Sequence, residues 1–133
     1  MNLVSIRLIT ADITRLRKFY ELVVNRSAQT YTEDFCELRT PNAVLALGST
    51  RTLQFFGDGI ANQGQNRSAI IEFHVSDVDA EFQRLSVVIG PYLVQAPTTM
   101  PWGNRSLLFR DPDGNLINFF TPVTAEAQAR LGQ

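Results

Sequence analysis

The sequence predicts an α+β fold: two tandem βαβββ modules, their strands forming one curved mixed sheet (half-barrels) with helices outside and a ligand cup inside. Three observations predict it. The chain has 133 residues, with 44% apolar and 19% charged, which suits one compact domain with a real core. Its apolar residues change period, from alternation at two to spacings of three and four and back again. Finally, the second half repeats the order of the first, and a duplicated unit fixes architecture.

Each element has its own reason. Residues 3–10 alternate Ile6 and Leu8 against Ser5 and Arg7, a strand. Asp12 offers an N-cap oxygen, and Ile13, Leu16, Tyr20 and Val23 then form the stripe of an amphipathic helix. Arg15, Arg17, Lys18 and Glu21 cover the solvated face of that helix. Residues 28–32 read as a weak strand. Residues 35–39 and 43–47 form a hairpin about the break Thr40-Pro41-Asn42, and 52–56 is a further apolar stretch. The polar, glycine-rich stretch 57–68 is a linker or long loop.

The pattern then restarts. Residues 69–76 are a strand, and Asp77 caps a helix carrying Val78, Phe82 and Leu85. Residues 92–96 are a strand bounded by Pro91 and Pro97, and 97–104 is a loop. Residues 106–110 and 115–120 form a hairpin across Asp111-Pro112-Asp113-Gly114. Asp111, Asp113 and Gly114 are read as turn chemistry. The two capping residues, Asp12 and Asp77, lie 65 positions apart, and the hairpin prolines, Pro41 and Pro112, lie 71 apart. These spacings give one domain over residues 1–122, with module one at about 3–56, the linker at 57–68 and module two at about 69–122. Residues 123–133 are a C-terminal tail or a short helix, the alanine-rich stretch running over 124–131.

Composition excludes several functions. Twelve basic against thirteen acidic residues argue against a nucleic-acid partner. No apolar run is long enough to span a membrane, and no membrane partner is expected. Residues 1–10 lack a basic n-region and a small-residue cleavage site, so the expected location is cytoplasmic. One cysteine, Cys36, and one histidine, His74, exclude a cysteine-rich or multi-histidine metal site. Cys36 reads as a core residue.

Several motifs together resemble the vicinal oxygen chelate superfamily, which includes glyoxalase I, bleomycin-resistance proteins and extradiol dioxygenases. They are Asp12 followed by Phe19-Tyr20, the helix start Ser76-Asp77-Val78-Asp79-Ala80, and Pro101-Trp102-Gly103-Asn104-Arg105 leading to Phe109-Arg110-Asp111-Pro112-Asp113-Gly114-Asn115. The resemblance covers residues 3–122 and implies a metal site, to which each module gives two ligands. One stands seven residues before the helix-start Asp, the other four after the hairpin Gly. Carried over, these positions are Ser5, Ile70 and Asn118, with the fourth at Leu47, or at Ala46 if the hairpin is one residue shorter. None supplies an imidazole, carboxylate or thiolate. The expectation is therefore no metal and no cofactor, and a protein of the bleomycin-resistance kind. Such a protein binds an antibiotic-like or aromatic small molecule without changing it, as a homodimer.

Strand alternation fills in the expected binding face. With Ser5 go Arg7 and Ile9, with Ile6 and Leu8 under the first helix. With Ile70 go Glu72 and His74, with Ile71, Phe73 and Val75 under the second. With Asn118 go Leu116 and Phe120. The expected ligand-binding residues are Arg7, Glu72, His74, Asn118, Trp102, Phe120, Ile70, Leu47 and Ser5. Some carry a second reading: Arg7 and Glu72 as an ion pair, and Trp102 as a packing anchor or dimer contact rather than a stacking platform. No catalytic residue is assigned. The alternatives are a metal-free lyase, isomerase or dioxygenase-type enzyme using His74 and Glu72 as acid and base, or displaced metal ligands built on His74, Glu72 and Glu37.

Overall fold

The computed structural model describes residues 1–132 and separates them into two compact units. The first comprises Met1–Asn66 with the turn Pro112–Gly114, and the second Arg67–Asp111 with the chain from Asn115 onward. Their strands form two four-stranded mixed sheets, neither closed into a barrel, where the sequence reading runs them as one sheet. Within each module the first strand pairs in parallel with the last, so the ladder is completed inside the module.

The first unit contains β1 (Ser5–Thr10), α1 (Ile13–Val24), β2 (Gln29–Thr32), β3 (Phe35–Arg39) and β4 (Val44–Ser49), with sheet order β1-β4-β3-β2. Asp12 caps α1, its Oδ1 accepting from Arg15 N–H at 3.1 Å. Asn25 ends the helix in the left-handed region, its N–H donating to the Glu21 carbonyl. Leu16, Phe19, Tyr20 and Val23 are buried beneath α1, against Leu8, Cys36, Leu38, Leu45 and Leu47 of the sheet. Each such side chain contributes roughly 1.5–3 kcal/mol by leaving water. Ile6, expected under the helix, is instead 57% exposed, because it lies near the open start of edge strand β1.

The apolar stretch at 52–56 is not a strand. Thr50–Phe55 forms a 3-10 helix, started by Ser49, whose Oγ accepts from Arg51 N–H. Short apolar runs do not distinguish strand from helix by periodicity, and here the serine cap decides. Arg51 and Ser49 both hydrogen-bond Asp34 Oδ1, at 2.8 and 2.7 Å, tying the start of β3 to the end of β4. These bonds, that of Arg51 foremost, hold the Asp34 carboxyl below its ordinary pKa.

The second unit contains β5 (Ile70–His74), α2 (Val78–Ile89), β6 (Leu93–Thr99), β7 (Asn104–Arg110), β8 (Leu116–Pro122) and α3 (Ala125–Leu131), with sheet order β5-β8-β7-β6. Asp77 caps α2 as Asp12 caps α1, its Oδ1 accepting from Ala80 N–H at 3.1 Å. Val78, Leu85 and Ile89 pack over Leu107, Phe109, Ile117 and Phe119. The expected strand end at Pro97 is overrun, since β6 continues to Thr99. Proline is tolerated there because β6 is an edge strand whose pairing with β7 slips twice, between Leu93 and Gln95 and between Gln95 and Thr98. The turn before β8 is held by Asp111, whose carboxylate accepts from Asn115 N–H at 2.9 Å and Asn115 Nδ2 at 2.7 Å. Gly114 supplies the positive φ of 89°. Among the described residues, no helix is long and apolar enough to cross a membrane.

Candidate functional site

Each sheet has one face under a helix and one face turned away from it, and the register assigns side chains to the second. In the first unit, Arg7 of β1 stands opposite Ala46 of β4, which stands opposite Glu37 of β3. One row along, Ser5, Val44 and Arg39 are aligned; on the other side, Ile9, Gly48 and Phe35. Arg7 lays its guanidinium 5.0 Å from the centre of the Phe35 ring and 6.0 Å from that of Phe56. Gly48 makes room for this reach: a Cβ there would lie 3.2 Å from Arg7 Cδ and 3.0 Å from Thr52 Oγ1. Neither Phe56 nor Phe35 was anticipated at this face. Finding them needs the diagonal across β4 and the path of the 3-10 helix, which no local spacing carries.

In the second unit, Glu72 of β5 stands opposite Asn118 of β8, with Ile70 opposite Leu116 and His74 opposite Phe120. Asn118 Nδ2 donates to Glu72 Oε2 at 2.8 Å. Asn118 is only 9% exposed, and its Oδ1 is buried with no hydrogen-bond partner. The His74 and Phe120 rings lie 5.8 Å apart, tilted by 40°. Arg7 thus takes aromatic partners from its own module, and Glu72 an amide partner from its own.

The two registers settle the fourth position that the family pattern left open. Asn118 faces the residue two after Ile70, and Ala46 faces the residue two after Ser5. Ala46 is therefore the equivalent of Asn118. Leu47 points the other way: it pairs with Leu8 and Cys36, is 0% exposed, and belongs to the core beneath α1. A slip of one residue carries a side chain to the opposite face, so Leu47 leaves the candidate site.

Trp102 is 58% exposed in the loop before β7. It lines a depression with Gly103, Thr124, Glu126 and Arg130, and its carbonyl accepts from the Arg130 guanidinium. The structure thus places it beside the start of α3. Cys36 is buried on the helix face of β3, and its loss of solvent pushes the thiol pKa up.

The metal positions implied by the family pattern hold Ser5 and Ala46 in one module and Ile70 and Asn118 in the other. A hydroxyl, two hydrocarbons and a neutral amide do not fit a catalytic divalent ion. Among the described residues, no three His, Cys, Asp or Glu side chains gather as a metal site requires.

Comparison with known proteins gives one result from sequence and several from structure. The family model described as "Glyoxalase/Bleomycin resistance protein/Dioxygenase superfamily" matches residues 2–119. A search of curated proteins finds no match. Among solved structures, the chain is similar to a glyoxalase/bleomycin resistance protein/dioxygenase family enzyme from Burkholderia phytofirmans PsJN, with 16% identity, 92% of this chain and 100% of that one covered, and a TM-score of 0.81. It is similar to a virulence protein from Salmonella typhimurium, with 25% identity, coverage of 92% and 98%, and a TM-score of 0.71. It is also similar to a lactoylglutathione lyase from Agrobacterium tumefaciens, with 18% identity, coverage of 90% and 92%, and a TM-score of 0.69.

Proposed function

Because the chain belongs to the glyoxalase/bleomycin resistance protein/dioxygenase superfamily, we propose that it is a metal-free binding protein of that superfamily, holding a partly apolar small molecule without converting it. The observation that carries this reading is the donor set at the family's ligand positions: Ser5, Ala46, Ile70 and Asn118. A metal of this superfamily works as a Lewis acid on substrate oxygens, and that assistance requires ligands these positions do not offer. What stands there instead suits recognition. On the first unit's free sheet face Arg7 lies against Phe35 and Phe56; on the second unit's, by itself, the Glu72–Asn118 pair lies beside His74 and Phe120; each sets a few polar groups among apolar ones.

The test is calorimetric titration of Zn²⁺, Ni²⁺, Mn²⁺ and Fe²⁺ into chelator-treated protein. The expected result is no stoichiometric binding. One tightly bound ion per chain, displaced on changing Asn118 or Glu72, overturns the reading. The acid–base alternative gains little support from the side chains it needs, since His74 packs on Phe120 while Glu72 is engaged by Asn118. By family resemblance the working form is a homodimer, and sedimentation at twice the chain mass of 14.9 kDa is the expected outcome; sedimentation at the single-chain mass removes that part of the proposal.

A further inference from the structure

Arg7 is the exception among the arginines of the first unit. Arg15, Arg17, Arg39 and Arg51 each hold a carboxylate, and Arg26 donates to the Arg39 carbonyl. Among the described residues, Arg7 has no hydrogen-bond or carboxylate partner. The acid in its own row, Glu37, is taken by Arg39 at 2.9 Å. What holds Arg7 is apolar. Its stem crosses Gly48, and its guanidinium lies 5.0 Å from the Phe35 ring centre and 6.0 Å from that of Phe56. A ring attracts the cation through its quadrupole and offers no acceptor atom to its N–H groups. The guanidinium donors are thus held in place on an exposed residue, open to a partner from solution. The charge of the face agrees. Over the aligned rows of β1, β4 and β3, Arg7 and Arg39 stand against Glu37 alone, a net positive face on a chain whose net charge is -1.

We propose that Arg7 anchors a monoanionic carboxylate ligand with an aromatic body, the carboxylate on the guanidinium fork and the body against Phe56. This rests on the binding-protein reading above and names the ligand class within it. A planar carboxylate matches the fork with two parallel, charge-assisted bonds. One guanidinium with Glu37 in its row suits one negative charge better than two. Phe56 is 62% exposed, so an aromatic body attached to the carboxylate withdraws its ring from water. The two rings and the clearance at Gly48 already restrict the Arg7 side chain, and less of its freedom is lost when the ligand binds.

The probes are 2-naphthoate, its neutral isostere 2-naphthamide and inorganic phosphate. Each is titrated into the intact protein and followed through the Arg7 Nε–H and Phe56 ring resonances. Naphthoate is expected to shift both saturably and to bind about tenfold more tightly than naphthamide, with phosphate weakest. Arg7→Met keeps an unbranched stem over Gly48 at an exposed residue, so it leaves the fold intact; it is expected to abolish the preference for naphthoate over naphthamide, read on Phe56. Arg7→Lys keeps the charge without the fork and is expected to lose most of that preference. Naphthamide or phosphate binding as tightly as naphthoate, or an unchanged preference in Arg7→Met, overturns the carboxylate assignment and leaves the binding-protein reading standing. If none of the three shifts these resonances, the assignment falls by itself, and the metal titration still decides the broader reading.

Discussion

Phe119→Ala is expected to destabilise the protein by about 3–5 kcal/mol, the loss for a buried phenylalanine whose cavity does not collapse. Phe119 is 2% exposed at the centre of the second sheet. Its ring meets Phe109 at 5.2 Å and 77°, and Phe73 at 5.6 Å and 69°, both edge-on. Truncation removes both aromatic pairs, each worth about 0.5–1.5 kcal/mol beyond area. It also leaves the underside of α2, with Leu85 and Ile89, facing a void. Chemical denaturation measures the loss. Phe119→Leu also gives up both ring pairs but keeps part of the volume, and is expected to cost less than the alanine variant. A loss below about 1.5 kcal/mol for the alanine variant would show that this core is not packed as described.

The second large effect belongs to a glycine. Gly103 has φ of +93°, a region that side chains rarely adopt. A Cβ built there would fall 2.1 Å from Thr124 Oγ1 and 3.0 Å from Ala127 Cβ. Thr124 Oγ1 is the N-cap of α3, accepting from Ala127 N–H at 3.1 Å, and the Gly103 carbonyl accepts from Val123 N–H at 2.9 Å. Gly103→Ala must therefore push the cap aside while straining its own backbone, and about 2–4 kcal/mol of destabilisation is expected. Thr124→Ala alone loses the cap, at roughly 0.5–2 kcal/mol. Combined, the two substitutions are expected to cost less than their sum, because the clash is partly relieved. Strict additivity in thermal unfolding would place the effect of Gly103 elsewhere.

The features legible in the sequence were the local ones. Asp12 and Asp77 announce helices because an N-cap needs only its own neighbours, and both helices start where the caps place them. The strand at Phe35–Arg39 follows from alternation and a turn signal. The features missed depend on partners distant in the chain. Leu47 and Ala46 exchange faces on a single step of register, and only the pairing of β4 with β1 decides between them. That Asn118 meets Glu72 follows from the parallel register of β5 and β8, 46 residues apart in the chain. Thr52–Phe56 carried too few residues for its period to be read, and Ser49 settled it through a cap. Pro97 looked like a strand end because the sequence does not say which strands lie at an edge.

The outer strand β6 has a consequence for the protein at high concentration. An exposed strand edge is a template on which another chain can extend the sheet into fibres. Along β6, Pro97 has no N–H to offer, and two slips of pairing break the even spacing that an incoming strand would have to match. That border of the molecule is thus a poor template for self-propagating growth.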